Sequence, residues 1–283
     1  MTVSTGSTTG TPFGERVRTT MDSRGPLCAG IDPHAALLAK WGLEDSVAGL
    51  ERFALTAAEA LGPVAAAVKP QSAFFERFGS AGIAVLERAV AICREAGAQV
   101  VLDVKRGDIG STAQAYADAY LDPASPLAVD AITASPFLGF GSLAPLYDVA
   151  GRHGNGVFVL ALTSNPEGPT VQHARTGTGT VAGDVLAGLR DLNDGASPLG
   201  SFGAVVGATI GEAGESLAIN GPLLVPGIGA QGGTPDDVRR IFAGVLHQVL
   251  PSSSREVLGA GPDPRALADA ARRTNDALRE VLG

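Results

Sequence analysis

Short apolar runs alternate with amphipathic stretches along this chain of 283 residues. Each run has the length of a buried strand, and the stretches between repeat apolar residues every three or four positions, which is typical of helices packed on a sheet. The predicted strands are Leu27–Ile31, Ala65–Lys69, Gln99–Lys105, Ala128–Thr133, Gly156–Leu162, Ala204–Ala208, Leu223–Val225 and His247–Leu250. Eight β–α alternations in a chain of this size predict an α/β fold, a (β/α)₈ TIM barrel.

Helices are predicted between these strands. They cover Ser80–Ala96, Ala113–Leu121, Val181–Leu192, Pro235–Val245 and Pro264–Leu282. A doubly wound open sheet is the alternative architecture. It prefers a glycine-rich loop after the first strand, and Gly30-Ile31-Asp32-Pro33 does not provide one.

The length and the 45% apolar content allow one large core. We expect residues 21–283 to form a single (β/α)₈ barrel domain, and residues 1–20 to be a disordered or loosely attached extension. The start of the chain lacks the basic and apolar regions of a signal peptide, and no apolar stretch approaches the ~20 residues that cross a bilayer. Cys28 and Cys93 stand far apart in apolar segments. We therefore expect reduced cysteines in a cytoplasmic protein.

The net charge of −8 disfavours nucleic acid and anionic membranes as partners. An anionic substrate is still compatible with it, because a site can be locally positive. None of the four histidines has the spacing of metal ligands. His34, two residues after Asp32, is the histidine closest to a candidate site.

Two carboxylates flank one lysine after the apolar run of the third predicted strand. Asp103 and Lys105 are two residues apart, so they project to the same face of a strand, and Asp108 follows on the loop after Gly107. Burying three charges is costly unless they pair well or have a task. A structural ion pair in the core and a catalytic cluster are both open at this point, and such clusters favour catalysis.

Lysine is rare in this chain. Only Lys40, Lys69 and Lys105 are lysines among 21 basic residues, and the other 18 are arginines. Lys69 and Lys105 stand at the ends of two apolar strands. Because lysine can release a proton at working pH and arginine cannot, this usage favours proton transfer at the site.

A glycine-rich run, Pro226–Thr234, follows the seventh predicted strand and opens a helix. Backbone N–H groups and the helix N-terminus can face an anion there, although a plain turn is the alternative. Arg255 follows the eighth strand and can hold a phosphate through its planar fork. Barrel phosphate sites commonly use these two loops, so we predict a phosphate site between them.

Polar residues at strand ends should gather at the carboxyl-terminal face of the barrel. They are Asp32, Lys69, Asp103, Lys105, Thr133, Ser164, Gln231 and Arg255. Asn165–Thr180 is a long, polar segment rich in Gly and Thr, and we expect it to be a mobile loop beside the site.

From about Arg24 to its end, the chain resembles the orotidine 5′-phosphate decarboxylase family, in particular its longer bacterial form. The resemblance rests on Asp103-Val104-Lys105-Arg106-Gly107-Asp108, Ala67-Val68-Lys69-Pro70, Gly30-Ile31-Asp32 and Pro226-Gly227-Ile228-Gly229-Ala230-Gln231-Gly232-Gly233. A wider superfamily shares the Asp-x-Lys-x-x-Asp pattern. Lys69 and the glutamine–glycine loop make the resemblance much more specific.

The resemblance implies a (β/α)₈ barrel that converts orotidine 5′-phosphate to UMP and CO₂ in de novo pyrimidine biosynthesis, without a cofactor. Lys69, Asp103, Lys105 and Asp108 match the family's charged catalytic tetrad. The resemblance also implies a homodimer, in which Asp108, with Ile109 and Thr112, completes the neighbouring subunit's site.

The resemblance further implies the residues that bind the substrate. Asp32 and Lys69 hold ribose hydroxyls, and Ser164 reads the pyrimidine edge, a role that Thr163 or Asn165 could also fill. The phosphate-side residues are Pro226, Gln231, Gly232, Gly233 and Arg255.

The chemistry expected of these residues is electrostatic. Loss of CO₂ leaves an electron pair at C6 of a ring that delocalises it poorly, so catalysis supplies on the order of 20 kcal/mol. The chain has no cofactor motif to accept those electrons. Lys105, held protonated by its carboxylate neighbours, can stabilise the charge at C6 and then donate the proton there.

Three rival functions are compatible with parts of this pattern. The first is a metal-dependent sugar-phosphate decarboxylase or aldolase of the same superfamily, which needs a carboxylate where this chain has Lys69. The second is a Schiff-base aldolase, whose lysine must be partly neutral, whereas flanking carboxylates favour the ammonium form. The third is a phosphate-binding barrel without activity. A protein of this kind would gain nothing from a cluster of charges whose burial costs free energy.

Overall fold

Eight parallel strands close into a barrel, in which each strand pairs with the next and the eighth pairs back with the first. The structure is a computed structural model that describes residues 10–228 and 232–282. The strands are β1 Cys28–Ile31, β2 Ala67–Pro70, β3 Gln99–Arg106, β4 Ala131–Ala134, β5 Gly156–Leu162, β6 Phe202–Val206, β7 Leu223–Pro226 and β8 Val249–Ser253. The predicted (β/α)₈ architecture is confirmed.

Helices follow the strands and surround the barrel. They are α1 Phe13–Arg24, α2 Ala35–Lys40, α3 Val47–Leu61, α4 Ala73–Glu76, α5 Gly79–Glu95, α6 Gly110–Leu121, α7 Ala144–His153, α8 Gly168–Gln172, α9 Val181–Leu192, α10 Pro235–Ile241, α11 Arg255–Leu258 and α12 Pro264–Leu282. No helix in the described ranges is long and apolar enough to span a membrane.

The limits of some elements match the sequence-based prediction and others differ. The limits of β5, α9 and α12 agree with it. We predicted the last strand at His247–Leu250, but a 3₁₀ turn occupies Leu246–Gln248, so β8 starts at Val249. We extended α10 to Val245, but it ends at Ile241, and Gly244 then adopts a positive φ of 83°. The strong apolar periodicity marks an element's interior better than its ends.

Two apolar cores form on the two sides of the barrel wall. The larger core packs helices on strands, for example Phe53 of α3 with Val68 of β2. The smaller core contains apolar side chains from the strands, such as Phe158 and Leu250, and it includes Phe13 and Val17 of α1. The inner core therefore depends on a helix that precedes the first strand.

Helix α1 packs against the amino-terminal end of the barrel. The Phe13 ring meets the Phe158 ring edge to face, with centroids 5.8 Å apart. Arg16 donates to Gln99 Oε1 (3.1 Å) at the start of β3 and forms an ion pair with Asp130 (3.0 Å) before β4. Phe13, Val17 and Met21 are buried. These contacts fix the helix at three points of the barrel.

Our expectation for residues 1–20 is therefore wrong for residues 13–20, which belong to α1 and are not loosely attached. Phe13, Val17 and Met21 recur every four residues, which is the signal of a helix with one apolar face. The polar composition of the first eleven residues obscured it. Residues 1–9 lie outside the described residues.

Removing apolar volume from α1 should destabilise the whole domain. We expect Val17→Ala to lower the free energy of unfolding by about 2 kcal/mol, because two buried methyl groups are lost and a cavity remains. Urea unfolding followed by circular dichroism measures the change. The matched control is Val171→Ala in α8, where the valine is 43% exposed and the expected change is within about 0.5 kcal/mol. Equal effects of the two substitutions would contradict the role of α1.

Candidate active site

A cluster of buried charges lies where β2 and β3 end. The Asp103 carboxylate accepts from Lys69 Nζ at 3.0 Å through one oxygen, and from Lys105 Nζ at 2.5 Å through the other. Thr133 Oγ1 also donates to Asp103, at 2.8 Å. The Lys69 and Asp103 side chains are each 10% exposed, and that of Lys105 is 45% exposed. One carboxylate thus holds two ammonium groups at the mouth of the barrel.

The mutual attraction of these charges exceeds the effect of burial. Burial alone raises the pKa of Asp103, but the nearby Lys69 and Lys105 lower that pKa from 3.8 to about 2. Burial alone lowers the pKa of Lys69. The carboxylates of Asp103 and Asp32 raise this pKa by more than burial lowers it, so it lies above the ordinary value of a lysine. Asp103 and Lys69 are therefore both charged at neutral pH.

The backbone at Lys105 is strained. Its φ is +45°, a left-handed conformation that costs a non-glycine residue on the order of 1–3 kcal/mol. The Lys105 N–H donates to Thr133 Oγ1 at 2.9 Å, and the strand register between β3 and β4 shifts between Leu102 and Arg106. Strain of this kind persists where the surroundings hold it, and it is concentrated at functional sites.

Gly107 follows at a point of close approach. A Cβ atom there would lie 2.3 Å from the carbonyl oxygen of Ser135, so any side chain would push the β3 and β4 loops apart. Glycine is thus required for backbone proximity at this position.

Asp108, Ile109 and Thr112 lie at the start of α6 and do not join the charged cluster in the described chain. Asp108 Oδ1 accepts from the Ile109 N–H at 2.8 Å, and the Asp108 carboxylate forms no ion pair with Lys69 or Lys105 there. Ile109 is 61% exposed, and Thr112 is exposed too. The structure therefore brings Lys69, Asp103 and Lys105 together, and it leaves the half-buried Asp108 outside this cluster.

Two cavities adjoin the charged cluster. The first, of about 250 Å³, lies between the ends of β1, β2, β7 and β8, and we call it the Arg255 cavity. It is lined by Asp32, His34, Lys69, Gln71, Phe74, Asp103, Pro226, Gly227, Ile228, Ser252, Ser254 and Arg255. The second, of about 190 Å³, contains Lys105, Thr133 and Ser164, and we call it the Ser164 cavity. Both cavities are lined by Lys69, Asp103 and Pro226, so the charged cluster lies between them.

The Arg255 cavity contains buried polar atoms that have no hydrogen-bond partner among residues 10–228 and 232–282. They are Asp32 Oδ1, Gln71 Oε1 and Ser254 Oγ. Such atoms are rare in native proteins because an unmade hydrogen bond costs free energy. Their convergence on one cavity indicates that a polar ligand binds there. We predicted Asp32 from the sequence, but not Gln71 or Ser254. Their nearness in sequence to Lys69 and Arg255 was the only signal.

His34, the histidine nearest the predicted site, lines the Arg255 cavity. Its ring stacks on Phe74, with centroids 5.0 Å apart and planes at 9°. The pair forms a flat wall of the cavity.

Thr163, Ser164 and Asn165 all line the Ser164 cavity. Thr163 Oγ1 donates to Asn165 Oδ1 at 2.6 Å, and it accepts from Gln172 Nε2 at 2.7 Å. Ser164 makes no side-chain hydrogen bond within the described part of the chain, so its hydroxyl is available to a ligand. Part of the predicted Asn165–Thr180 loop is helical, because α8 lies within it.

The phosphate-side residues are only partly described. Gln231 lies outside the described residues. Gly232 has a positive φ of 90°, and the Gly233 N–H donates to the Gly227 carbonyl at 3.0 Å. Arg255 lines the cavity that contains Asp32 and Lys69.

The amino terminus of α10 is capped by a carboxylate from the same helix. Thr234 and Asp237 form a reciprocal capping box, in which the Asp237 carboxylate accepts from the Thr234 N–H at 3.0 Å. Hydrogen bonds from Thr234 lower the pKa of Asp237 to about 2. A carboxylate thus accepts from the N–H of the residue that precedes the helix which we predicted as part of the phosphate site, and Arg255 remains a candidate for holding the phosphate.

No group of three or more His, Cys, Asp and Glu side chains is placed to hold a metal ion in the described segments. Lys69 stands at the end of the strand that precedes β3, and its ammonium is bound to Asp103. The charged cluster therefore already contains two cations, which are the ammonium groups of Lys69 and Lys105.

The closed parallel barrel and the charged mouth at its carboxyl-terminal end define an enzyme of the (β/α)₈ class. Comparisons with known proteins agree on one family. The sequence profile of the "Orotidine 5′-phosphate decarboxylase / HUMPS family" matches residues 25–271. The chain belongs to this family.

Individual relatives cover almost the whole chain. It is 67% identical over 272 residues to an orotidine 5′-phosphate decarboxylase of a Nocardioides species, covering 95% of this chain and 99% of that protein. It is 63% identical over 272 residues to the enzyme of Salinispora arenicola, covering 95% and 98%. A Streptomyces avermitilis crystal structure assigned to the same enzyme superposes with a TM-score of 0.94 at 59% identity, covering 96% of each chain.

Proposed function

We propose that this chain decarboxylates orotidine 5′-phosphate to UMP and CO₂ in de novo pyrimidine biosynthesis, without a cofactor, and that Lys105 is the proton donor. The observation that carries the proposal is the pairing of Asp103 with two ammonium groups between the two cavities. Membership of the family and the names of the relatives support the same reaction.

The proposed step balances without an added electron acceptor. The bond from C6 to the carboxylate carbon breaks, CO₂ leaves, and the electron pair stays on C6. The Lys105 ammonium stabilises this charge and then transfers a proton from Nζ to C6, after which water restores the ammonium. Lys105 Nζ donates to Asp103 Oδ1 at 2.5 Å, and this contact positions the ammonium for the step.

Asp103 has a second role in this proposal. With C6 next to Lys105, the substrate carboxylate lies near Asp103. Two like charges ~4 Å apart repel by about 4 kcal/mol at an effective dielectric constant near 20. The repulsion is relieved as CO₂ leaves, so it raises the free energy of the bound substrate more than that of the transition state.

The unpartnered atoms in the Arg255 cavity support binding of a sugar phosphate there. Asp32 Oδ1 and Gln71 Oε1 are acceptors that ribose hydroxyls can satisfy, beside the Lys69 ammonium. Arg255 holds the phosphate together with Pro226, Gln231, Gly232 and Gly233. Phosphate binding then supplies free energy that closes loops and expels water before the chemical step.

The pyrimidine ring lies in the Ser164 cavity in this arrangement, with C6 toward Lys105. Ser164 reads the polar edge of the ring, because Thr163 and Asn165 already bond to each other. The ribose thus lies in the Arg255 cavity on the side of Lys69 and Asp103, which line both cavities.

A homodimer completes the site in this proposal, with Asp108, Ile109 and Thr112 contributed to the neighbouring subunit. Exposed apolar side chains support an interface here. Ile109, Phe137 and Leu138 are 61%, 76% and 53% exposed, and they lie on the loops that follow β3 and β4. These loops touch where Gly107 meets Ser135. Several large apolar side chains exposed on neighbouring loops are typical of interaction sites.

Replacing the proposed proton donor should abolish turnover. We expect Lys105→Ala to lower kcat by more than about 100-fold, because both the stabilising charge and the transferred proton are lost. The loss of substrate absorbance on addition of orotidine 5′-phosphate measures kcat, and circular dichroism checks that the fold persists. Retention of a tenth of the wild-type kcat would mean that the proton donor is another group.

The same assay of the unmodified protein in excess EDTA separates this reaction from its metal-dependent rival. We expect full activity with the chelator. Loss of activity that Mg²⁺ restores would support the metal-dependent superfamily members, and UMP binding without turnover would support an inactive barrel.

Removal of the phosphate-binding cation should mainly weaken substrate binding. We expect Arg255→Ala to raise KM for orotidine 5′-phosphate by about 10- to 100-fold, because a charge-assisted bidentate contact is lost. Turnover of orotidine, which lacks the phosphate, should be unchanged. Arg265→Ala, an exposed position in α12, is the matched control. An equal loss with both substrates would contradict this role of Arg255.

Mixed subunits test the shared site. Lys105→Ala and Asp108→Ala homodimers should both be nearly inactive. After subunit exchange, heterodimers contain one site with neither substitution, so part of the wild-type activity should return. Exchange is followed with differently tagged subunits. Absence of recovery in a sample shown to contain heterodimers would place Asp108 within its own subunit's site or outside any site.

A further inference from the structure

A ring of hydrogen bonds closes around the strained backbone of Lys105 on the outer side of the barrel wall. Arg106 Nη2 donates to Glu76 Oε1 of α4 at 2.7 Å. Ser72 Oγ donates to the same Glu76 oxygen at 2.7 Å, and the Ser72 N–H donates to the carbonyl oxygen of Asp103 at 3.3 Å. The ring therefore joins Asp103, two positions before Lys105, to Arg106, which immediately follows Lys105.

Arg106 is also fixed on its other sides. Its guanidinium contacts the Tyr120 hydroxyl of α6 at 3.3 and 3.4 Å, and lies 5.5 Å from the centroid of the Tyr116 ring. These contacts hold the side chain between two helices. A guanidinium can make such contacts at once because its five donors are arranged in a plane.

The backbone of Arg106 is where regular strand pairing resumes. Arg106 pairs with Ala134 of β4 after the register shift, and its carbonyl oxygen accepts from the Ser135 N–H at 2.8 Å. Lys105, with its positive φ, lies between this anchored residue and Asp103. Fixing both flanks leaves little freedom for the backbone of Lys105 to relax.

We propose that Ser72, Glu76 and Arg106, which we call the Arg106 clamp, are positioning residues that hold Lys105 in its left-handed conformation and so direct Nζ at C6. The clamp touches no substrate, since its charged groups lie outside the barrel wall. Phe74, between Ser72 and Glu76 in sequence, lines the Arg255 cavity. The helix that carries Glu76 thus lies beside the substrate cavity, while the contacts of the clamp itself are made at the two flanks of Lys105. This inference rests on the proposed role of Lys105.

The test replaces Arg106 with methionine, which keeps the length of the side chain and removes its donors. We expect Arg106→Met to lower kcat by about tenfold and to leave KM within about twofold, since misalignment affects the transition state more than ground-state binding. Arg88→Met is the matched control, because Arg88 pairs with Glu51 at 2.7 Å on the exposed surface between α5 and α3. The control should leave kcat and KM within about twofold.

Two further variants test whether the clamp acts as a unit. Glu76→Gln alone should lower kcat by a smaller factor. Added to Arg106→Met, it should lower kcat by less than about twofold more, because the shared contact is already lost. Arg106→Lys keeps the charge beside Glu76 and should recover part of the kcat. If Arg106→Met does not fold, Glu76→Gln and Ser72→Ala provide the kcat and KM measurements.

A kcat of Arg106→Met within twofold of the wild type would overturn the proposal, as would losses that multiply in the double variant. A parallel rise in KM would also overturn it, because the clamp would then shape binding and not the alignment of Lys105. Lys105→Ala is measured alongside. If Lys105→Ala is inactive while Arg106→Met is fully active, the proposed role of the clamp is wrong and the proposed function is retained. If Lys105→Ala retains activity, the proposed role of Lys105 fails first.

Discussion

The site depends on the carboxylate of Asp103, which lies between two ammonium groups at the mouth of the barrel. A buried ion of this kind is costly alone, and the two lysines with Thr133 offset that cost by satisfying both carboxylate oxygens. The same pairing keeps Lys69 and Asp103 charged. A carboxylate fixed beside an ammonium provides, in advance of the reaction, the field that solvent would otherwise have to reorganise to supply.

The fold makes this arrangement possible through the geometry of parallel strands. Residues far apart in sequence end their strands at the same face, so Lys69 of β2 meets Asp103 of β3 and Thr133 of β4. The wall outside them contributes as well, because the contacts of Arg106 with α4 and α6 anchor the strand at its irregular end. Helices α4 and α6 thus cover the core and also contact the strand that carries Lys105.

The sequence predicted the architecture well and the site in part. Apolar periodicity located the strands and helices, and the two-residue spacing of Asp103 and Lys105 predicted their common face. Gln71 and Ser254 gained importance only through missing contacts in three dimensions, whereas Thr133 was expected at this face and its bond to Asp103 is what the structure adds. The spacing of Thr234 and Asp237 is that of a capping box, so this contact could be read from the sequence, although we did not predict it. Helix α1 was missed because its three apolar residues stand next to a polar, glycine-rich start.

The position of α1 has a consequence for how the chain acquires its structure during synthesis. Its apolar face is covered by residues of β3, β5 and β8, and β8 must also pair with β1 before the cylinder is complete. A ribosome releases α1 first and β8 nearly last. The apolar face of α1 is therefore made long before the last strand with which it shares a core, and closure of the barrel joins segments that lie far apart in the sequence.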